Sequence, residues 1–491
     1  MKIKSAPKRR FAQSLLCVLV FTLIIDSCTK FVTVDPPTTS LTQTNVYSAN
    51  STAVAVLTGL YTTMVSNGSF TGSGSISVLC GLSADELSLW SGVTNVSQLA
   101  YYNNALTYTI SPSTSLGSDF WSPLYKNIFY CNSAIDGLNS SQSQSLTPAV
   151  RQQLLGEAKF MRAFYYFYLV NLFGDVPLVL NLDYAANALL SKTPKAQVYQ
   201  QIIQDLQDAQ TLLSNNFVYS DAVTVTTERT RPTKWAATAL LARAYLYEPT
   251  PNWVGADSAS SAVINNSSLF SLVPLNNVFV KNSNEAILQL QSLATTTPVY
   301  ISDGLSFIIP TTGFNGNQPF YISNRLLSVF ETNDGRKTNW LNTYTSGSSI
   351  FYYPYKYKST SSVTSIPSTL NEYLMILRLG EQYLIRAEAR AQENNLSGAA
   401  SDLNVIRVRA SASLPTVIPS TQAAMLSAVA HERQVELFAE WGHRWLDLKR
   451  TATIDAAMIA KGVSWNSYQQ WYPLPYADIN TNPNITQNTG Y

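Results

Sequence analysis

The chain has 491 residues, of which 32 are basic, 30 acidic and only 13% charged in total. A formal charge of +2 excludes the strong basic excess that draws a protein onto nucleic acid. With two histidines and four cysteines against 28 tyrosines, the composition favours binding of neutral polar ligands over metal or histidine chemistry.

The first predicted element is a leader. Lys2, Lys4, Lys8, Arg9 and Arg10 precede an apolar run from Leu15 to Ile25. That run is shorter than the roughly 20 residues needed to span a bilayer, so residues 1–27 read as an export signal. Ser27 precedes Cys28, the pattern of a bacterial lipoprotein, although Asp26 departs from the usual form. Cys28 would then be the lipidated first residue of the mature chain. Each buried methylene contributes about 0.8 kcal/mol, so two or three acyl chains anchor almost permanently. Loss of the leader removes five basic residues and one acidic residue, leaving 27 basic and 29 acidic. Of the cysteines, Cys80 and Cys131 then remain, as one disulfide or as two buried thiols. No CxxC or Cys/His cluster is present, so neither a zinc site nor a cofactor is expected.

Residues 28–44, rich in Thr and Pro, form a lipidated tether. Helical spacing follows over Asn45–Met64, and residues 66–122 read as loops and short irregular pieces. Arg151–Phe173 is the strongest predicted helix, stopped by Gly174 and Pro177. Further helices are predicted over Lys195–Leu213, Thr233–Tyr247 and Trp253–Ile264. Residues 270–370 return to aromatic loops with short strands, before helices over Glu372–Asn394, Ser397–Ala410 and Thr421–Trp441 and a Pro-, Asn- and Tyr-rich tail from 462. The helices pair through Ala-rich faces, and Leu379-Gly380-x-x-Tyr383 matches the core of a tetratricopeptide repeat. The predicted fold is mainly α: a tetratricopeptide-like scaffold with a large irregular loop region.

Several segments together resemble the SusD/RagB family of outer-membrane nutrient-binding lipoproteins. They are Cys28 with Phe31–Pro37, GEAKFMRAFYYFYLVNLFGDVPLV (156–179), RPTKWAATALLARAYLY (231–247), ILRLGEQYLIRAEARA (376–391), LNVIRVRA (403–410), ERQVELFAEWGHRWLDLKR (432–450) and YPLPYADINTNPNITQNTGY (472–491). Their order matches the family across almost the whole mature chain. The resemblance implies a binding protein and no enzyme: a cell-surface lipoprotein that captures oligosaccharides, or in a second reading peptides, for a TonB-dependent, SusC-like transporter. Thr29-Lys30 departs from the acidic residues that often follow the cysteine in surface-displayed members. The expected organisation is an N-terminal family region at 45–225, a central helix pair at 226–270 and a C-terminal region at 271–491, interleaved in one unit.

The family also directs attention to aromatics in the early loops and the central insertion. The candidates are Trp90 with Asn95, Tyr101 and Tyr102, then Tyr300, Phe314, Phe320, Tyr321 and Trp340, while Trp235, Trp441 and Trp445 are expected in the core. Sugars offer apolar ring faces beside hydroxyls, which suits aromatic platforms next to amide side chains. The most enzyme-like segment carries Glu432, Glu436 and Glu440 four residues apart, a spacing that invites a glycosidase reading. His431-Glu432 lacks the second histidine of HExxH, so a metalloprotease site is not implied. Arg433, Arg444, Lys449 and Arg450 lie close in sequence, and structural ion pairing is the expected role. Glu157, Lys159 and Arg162 are read in the same way, with Arg378 or Glu381 as possible partners. Cys28→Ala is expected to release the protein from the membrane fraction, as measured by detergent partitioning and immunoblotting; retention in the membrane would refute lipid anchoring.

Overall fold

Alternating Pro, Gly and N-cap residues divide the chain into helices of very different length. The computed structural model describes residues 46–292, 301–359 and 371–491, and residues 47–491 form one unit. The leader, Cys28 and the tether fall outside the described residues. The first helices are α1 (Asn50–Ser66), α2 (Ile76–Ser83), α3 (Val96–Leu106), α4 (Ser115–Ser140), α5 (Pro148–Phe173) and α6 (Tyr184–Asn187). Next come α7 (Lys195–Leu212), α8 (Lys234–Tyr247), α9 (Trp253–Ile264), α10 (Ser302–Phe307), α11 (Asn324–Val329) and α12 (Gly335–Asn339). The C-terminal set is α13 (Leu379–Gln392), α14 (Leu396–Ala410), α15 (Gln422–Leu437), α16 (His443–Arg450), α17 (Ile454–Lys461) and α18 (Tyr476–Thr481). Three two-stranded antiparallel sheets join β1 (Leu87–Leu89) to β3 (Phe320–Ile322), β2 (Ala286–Leu290) to β6 (Leu374–Arg378), and β4 (Leu341–Ser346) to β5 (Ser349–Pro354). The architecture is mainly α, as expected.

Helix α5 organises the first half. Pro148 starts it and Gly174, at φ 80°, ends it. From Phe160 to Phe173 every side chain is buried, so this helix is surrounded by protein rather than amphipathic. It packs against α4 on one side and α7 on the other. α8 follows on α7, and its alanines let α9 and α13 approach closely before α14 and α15 complete the stack. Leu384, Ala387, Leu403, Ile406 and Val429 form a buried core where α13, α14 and α15 meet.

Three expectations need correction. Residues 66–122 contain α2, α3 and the start of α4, helices short in apolar periodicity but capped by Ser75 and Asn95. Residues 374–378 are the strand β6, fully buried against β2, before α13 begins. The helix expected to run to Trp441 stops at Leu437, because Ala439, Trp441 and Gly442 take positive φ. A Cβ at Gly442 would sit 2.8 Å from the Cys80 Cβ, so the corner requires glycine. Cys80 and Cys131 are both buried free thiols.

Charge is buried in depth where α12, α14 and α15 meet β2 and β6. Glu436 Oε1 lies 2.6 Å from Arg378 Nη1 and Glu436 Oε2 lies 3.1 Å from Arg336 Nη1. Arg336 also reaches Glu432 at 2.5 Å and Asp334 at 2.8 Å. Arg407 meets Glu432 at 3.0 Å, and Arg409 bridges Glu285 and Glu436. Glu440 is shared by Arg378 at 2.8 Å and Lys356 at 2.5 Å. Ion pairing of the three glutamates therefore stands. Their partners are Arg336, Lys356, Arg378, Arg407 and Arg409 rather than Arg433, Arg444, Lys449 and Arg450. Similarly, Glu157 pairs with Arg231 at 2.6 Å, Arg162 with Asp205 and Lys159 with Asp208, both at 2.7 Å, and neither Arg378 nor Glu381 takes part.

Removing one partner strands the others in a dry interior, which costs about 3–5 kcal/mol. Glu436→Ala is expected to lower the unfolding free energy by about that amount, read from urea denaturation; a loss near zero would contradict the pairing. Acid acts on a neighbouring pair. Burial raises the Glu381 pKa, but Arg243, whose guanidinium lies 2.5 Å away, outweighs it and holds the carboxyl at about 2. Burial also pushes His443 down to about 4. Both groups bind protons more readily when unfolded, so stability is expected to fall as pH drops from about 6.5 towards 2. Thermal unfolding as a function of pH measures this; a midpoint unchanged across that window would refute it.

Candidate functional site

Aromatic side chains from three strands, the end of a fourth and a loop converge on one surface. In β3, Phe320 and Ile322 point inward and Tyr321 points to the other face. Trp90 follows β1, and its main-chain N–H donates to the Pro319 carbonyl at 2.8 Å, which fixes it beside β3. The β4–β5 hairpin turns at Gly347, φ 59°, a conformation glycine adopts without cost. Its register sets Tyr344 directly opposite Phe351. Phe314 enters from the loop between α10 and β3. A Cβ on Gly313, φ 98°, would lie 2.4 Å from the Tyr344 hydroxyl, so glycine permits this approach.

Phe314 is the centre of the group. It stacks on Trp90 at 5.3 Å with 11° between planes. Tyr344 and Phe351 meet it edge-on at 5.5 and 5.0 Å, and Tyr321 lies 6.0 Å away. Tyr321 and Phe351 are themselves 5.1 Å apart. All five rings are half-buried, and Phe314 and Tyr344 pack on a small core of Ile308, Ile309 and Tyr353. Gln98 of α3 reaches the loop at Gly316. Asn315 Oδ1 accepts from the Asn317 and Gln318 N–H groups and Gln318 donates to the Leu305 carbonyl, which hold the loop in shape. None of the five rings belongs to a Lys, Arg, His, Asp or Glu side chain. Such a surface offers ring faces and amides, a combination that stacks on sugars and meets their hydroxyls.

The sequence candidates separate into three groups. Trp90, Phe314 and Tyr321 come together in this patch. Asn95 is not drawn into it: its side-chain carbonyl caps α3 by accepting from Ser97 and Gln98 N–H at 3.1 Å. Tyr101 is half-buried and packs edge-on against Tyr102, which in turn packs on Phe320. Burial, and then Asp119, raise the Tyr101 pKa, so its hydroxyl remains protonated. Phe320 and Trp340 are corrected to core residues, each with no exposed surface. The Trp340 N–H donates to the Leu275 carbonyl at 2.9 Å, and Lys356, Arg378 and Arg409 lie over its ring. Both side chains are spent on packing. Tyr300 lies outside the described residues. Trp441 and Trp445 are buried as expected, whereas Trp235 is only half-buried.

Tyr344 and Phe351 were not legible as ligand candidates. Their signal was the Ser346-Gly347 turn midway between them, which aligns the two as a cross-strand pair. The glycosidase reading fails on geometry. Glu432 and Glu436 have 1% and 0% of their surface exposed and are held by guanidinium groups, with no room for a sugar between them. Among the described residues no group of His, Cys, Asp or Glu is placed to hold a metal ion.

Trp340→Ala is expected to cost about 3–5 kcal/mol of stability, through lost burial and a cavity in the charged cluster. Phe351→Ala, at a half-buried position, is expected to cost clearly less. Comparative thermal denaturation decides, and equal losses would contradict the division into core and surface rings.

Residues 47–246 match a family described as starch-binding and associating with the outer membrane, and residues 328–491 match the SusD family. A SusD-like protein of Bacteroides ovatus is 27% identical over 71% of this chain and 68% of its own. A SusD-like protein of Formosa agariphila is 23% identical over 96% of this chain and 99% of its own. Among solved structures, a SusD superfamily protein of Bacteroides vulgatus aligns with a TM-score of 0.74 at 22% identity. It covers 91% of this chain and 100% of that one. A laminarin-binding SusD-like protein aligns at 0.73 and 23% identity, with 91% of this chain and 100% of that one covered. At those identities the structural likeness shows the fold.

Proposed function

Since the chain belongs to the SusD family of glycan-binding proteins, we propose that it captures a neutral oligosaccharide on its Trp90–Phe314–Tyr321–Tyr344–Phe351 surface. Capture takes place at the outer face of the outer membrane, with Cys28 as anchor, and the glycan passes to a SusC-like TonB-dependent transporter. The observation that carries this reading is the convergence of four rings on Phe314. The family match to an outer-membrane-associated, starch-binding group and the fold shared with a laminarin-binding protein support it. Among the described residues no helix is long and apolar enough to cross a membrane, so attachment falls to the leader cysteine in this reading.

The physics sets the strength. Each aromatic pair contributes about 0.5–1.5 kcal/mol beyond burial. If sugar stacking is comparable, two or three such half-buried platforms give a few kcal/mol, a millimolar-order affinity. Such binding tolerates different linkages, because a ring face reports little about the glycosidic bond.

Affinity gels and calorimetry over a panel of neutral glycans, starch and laminarin included, test the proposal. Trp90→Ala and Phe351→Ala are each expected to weaken the binding of a responsive glycan by about 3–10-fold while unfolding remains cooperative. Absence of binding to every glycan, or full binding by both variants, would refute the assignment. Protection of the protein by peptides instead would favour a peptide ligand.

A further inference from the structure

A cavity of about 720 Å³ lies elsewhere in the molecule, lined from α5, α7, α8, α9, α13, α15 and α16. No ring of the aromatic patch lines it. Its volume falls within the roughly 300–1,000 Å³ typical of small-molecule sites. Unlike the patch, it is rich in charge.

Most of that charge is matched. Arg433 and Arg450 share Asp447 at 2.7 and 2.8 Å, and Arg450 also holds Glu388 at 2.5 Å. Arg444 turns to Asp85 at 2.8 Å. Two lysines are different. Lys195 Nζ lies 3.3 Å from Asn171 Oδ1, and Lys449 Nζ donates to the Asn171 main-chain carbonyl. Both sit over the same indole, that of Trp471, at 5.1 and 4.0 Å from the ring centroid. Among the described residues neither has a carboxylate within ion-pairing distance. Asp175 acts on Lys195 only from beyond ion-pairing distance, and the neighbour of Lys449 is the Cys80 thiol, which burial keeps protonated.

Two buried amino groups over one ring, neither of them ion-paired, are each held back from charging by desolvation. The strain registers in both groups: burial pushes Lys195 down to about 8 and Lys449 well below the ordinary lysine range. In addition, Arg433 Nη1 is buried without a hydrogen-bond partner. An oxyanion placed between the two ammonium groups would relieve this through charge-assisted hydrogen bonds. The rest of the lining suits a ring-shaped body: Trp253 provides an apolar face, and the Glu248 carboxylate can accept from hydroxyls.

We propose that this cavity binds a small organic anion, a carboxylate or sulfate ester on a hydroxylated ring, held by Lys195 and Lys449 over Trp471. The site is separate from the aromatic patch and does not depend on the reading of that patch. It would give the protein a preference for acidic units that the uncharged patch cannot supply.

Calorimetry and thermal shift with glucuronate, glucose and inorganic sulfate test it on the mature protein. Glucuronate is expected to raise the unfolding midpoint and glucose to leave it unchanged, since only a ligand that binds the folded state stabilises it. Lys195→Met and Lys449→Met are each expected to weaken glucuronate binding at least tenfold and to leave neutral-glycan capture intact. Should Lys449→Met fail to fold, Lys195→Met decides, because its ammonium makes the longer contact. Equal responses to glucose and glucuronate, or undiminished glucuronate binding by Lys195→Met, would overturn the proposal. Binding of inorganic sulfate with no response to glucuronate would overturn it as well, since the ring would then have no place.

Discussion

The charged cluster around Glu436 is the interaction on which the rest of the structure depends. Five cations, Arg336, Lys356, Arg378, Arg407 and Arg409, face five carboxylates, Glu285, Asp334, Glu432, Glu436 and Glu440. Every one of these side chains is at most 8% exposed. Dry charges are tolerated only when neutralised and hydrogen-bonded. The balance therefore constrains geometry: α12, α14, α15, β2 and β6 must all arrive together for any of the charges to be satisfied.

That constraint extends to the surface. Arg336 and Lys356 flank the segment that carries the β4–β5 hairpin, and both are locked into the cluster. Trp340, at the foot of the hairpin, is enclosed by Lys356, Arg378 and Arg409. The hairpin thus rises from a rigid base and holds Tyr344 and Phe351 against Phe314 without a ligand to organise them. A weak, stacking-based binder gains from this, since ordering the rings at the moment of binding would consume much of the small energy they provide.

The cavity at Trp471 shows the opposite arrangement. In the cluster every cation has its carboxylate, whereas Lys195 and Lys449 share an indole and an asparagine and, among the described residues, no carboxylate. The same solvation physics that makes the cluster structural makes the lysine pair incomplete. One is a closed account of charge within the fold; the other leaves a place for a ligand.

The sequence by itself determined the long elements and the family. Helices such as Pro148–Phe173 and Lys234–Tyr247 announce themselves through apolar composition and through Pro, Thr and Gly at their ends, all local properties. It also placed Trp90, Phe314 and Tyr321 among the candidate aromatics. Tertiary structure alone decided which aromatics face outward, because Phe320 and Tyr321 are chemically alike and differ only in the face of β3 they occupy. It decided the salt-bridge partners too: Glu432 finds Arg336 and Arg407 rather than its chain neighbour Arg433, since pairing follows distance in space. The short helices α2 and α3 and the break at Gly442 were hidden for a related reason. Their stability comes from packing across the molecule, as where Gly442 meets Cys80, and no local window of sequence contains both partners.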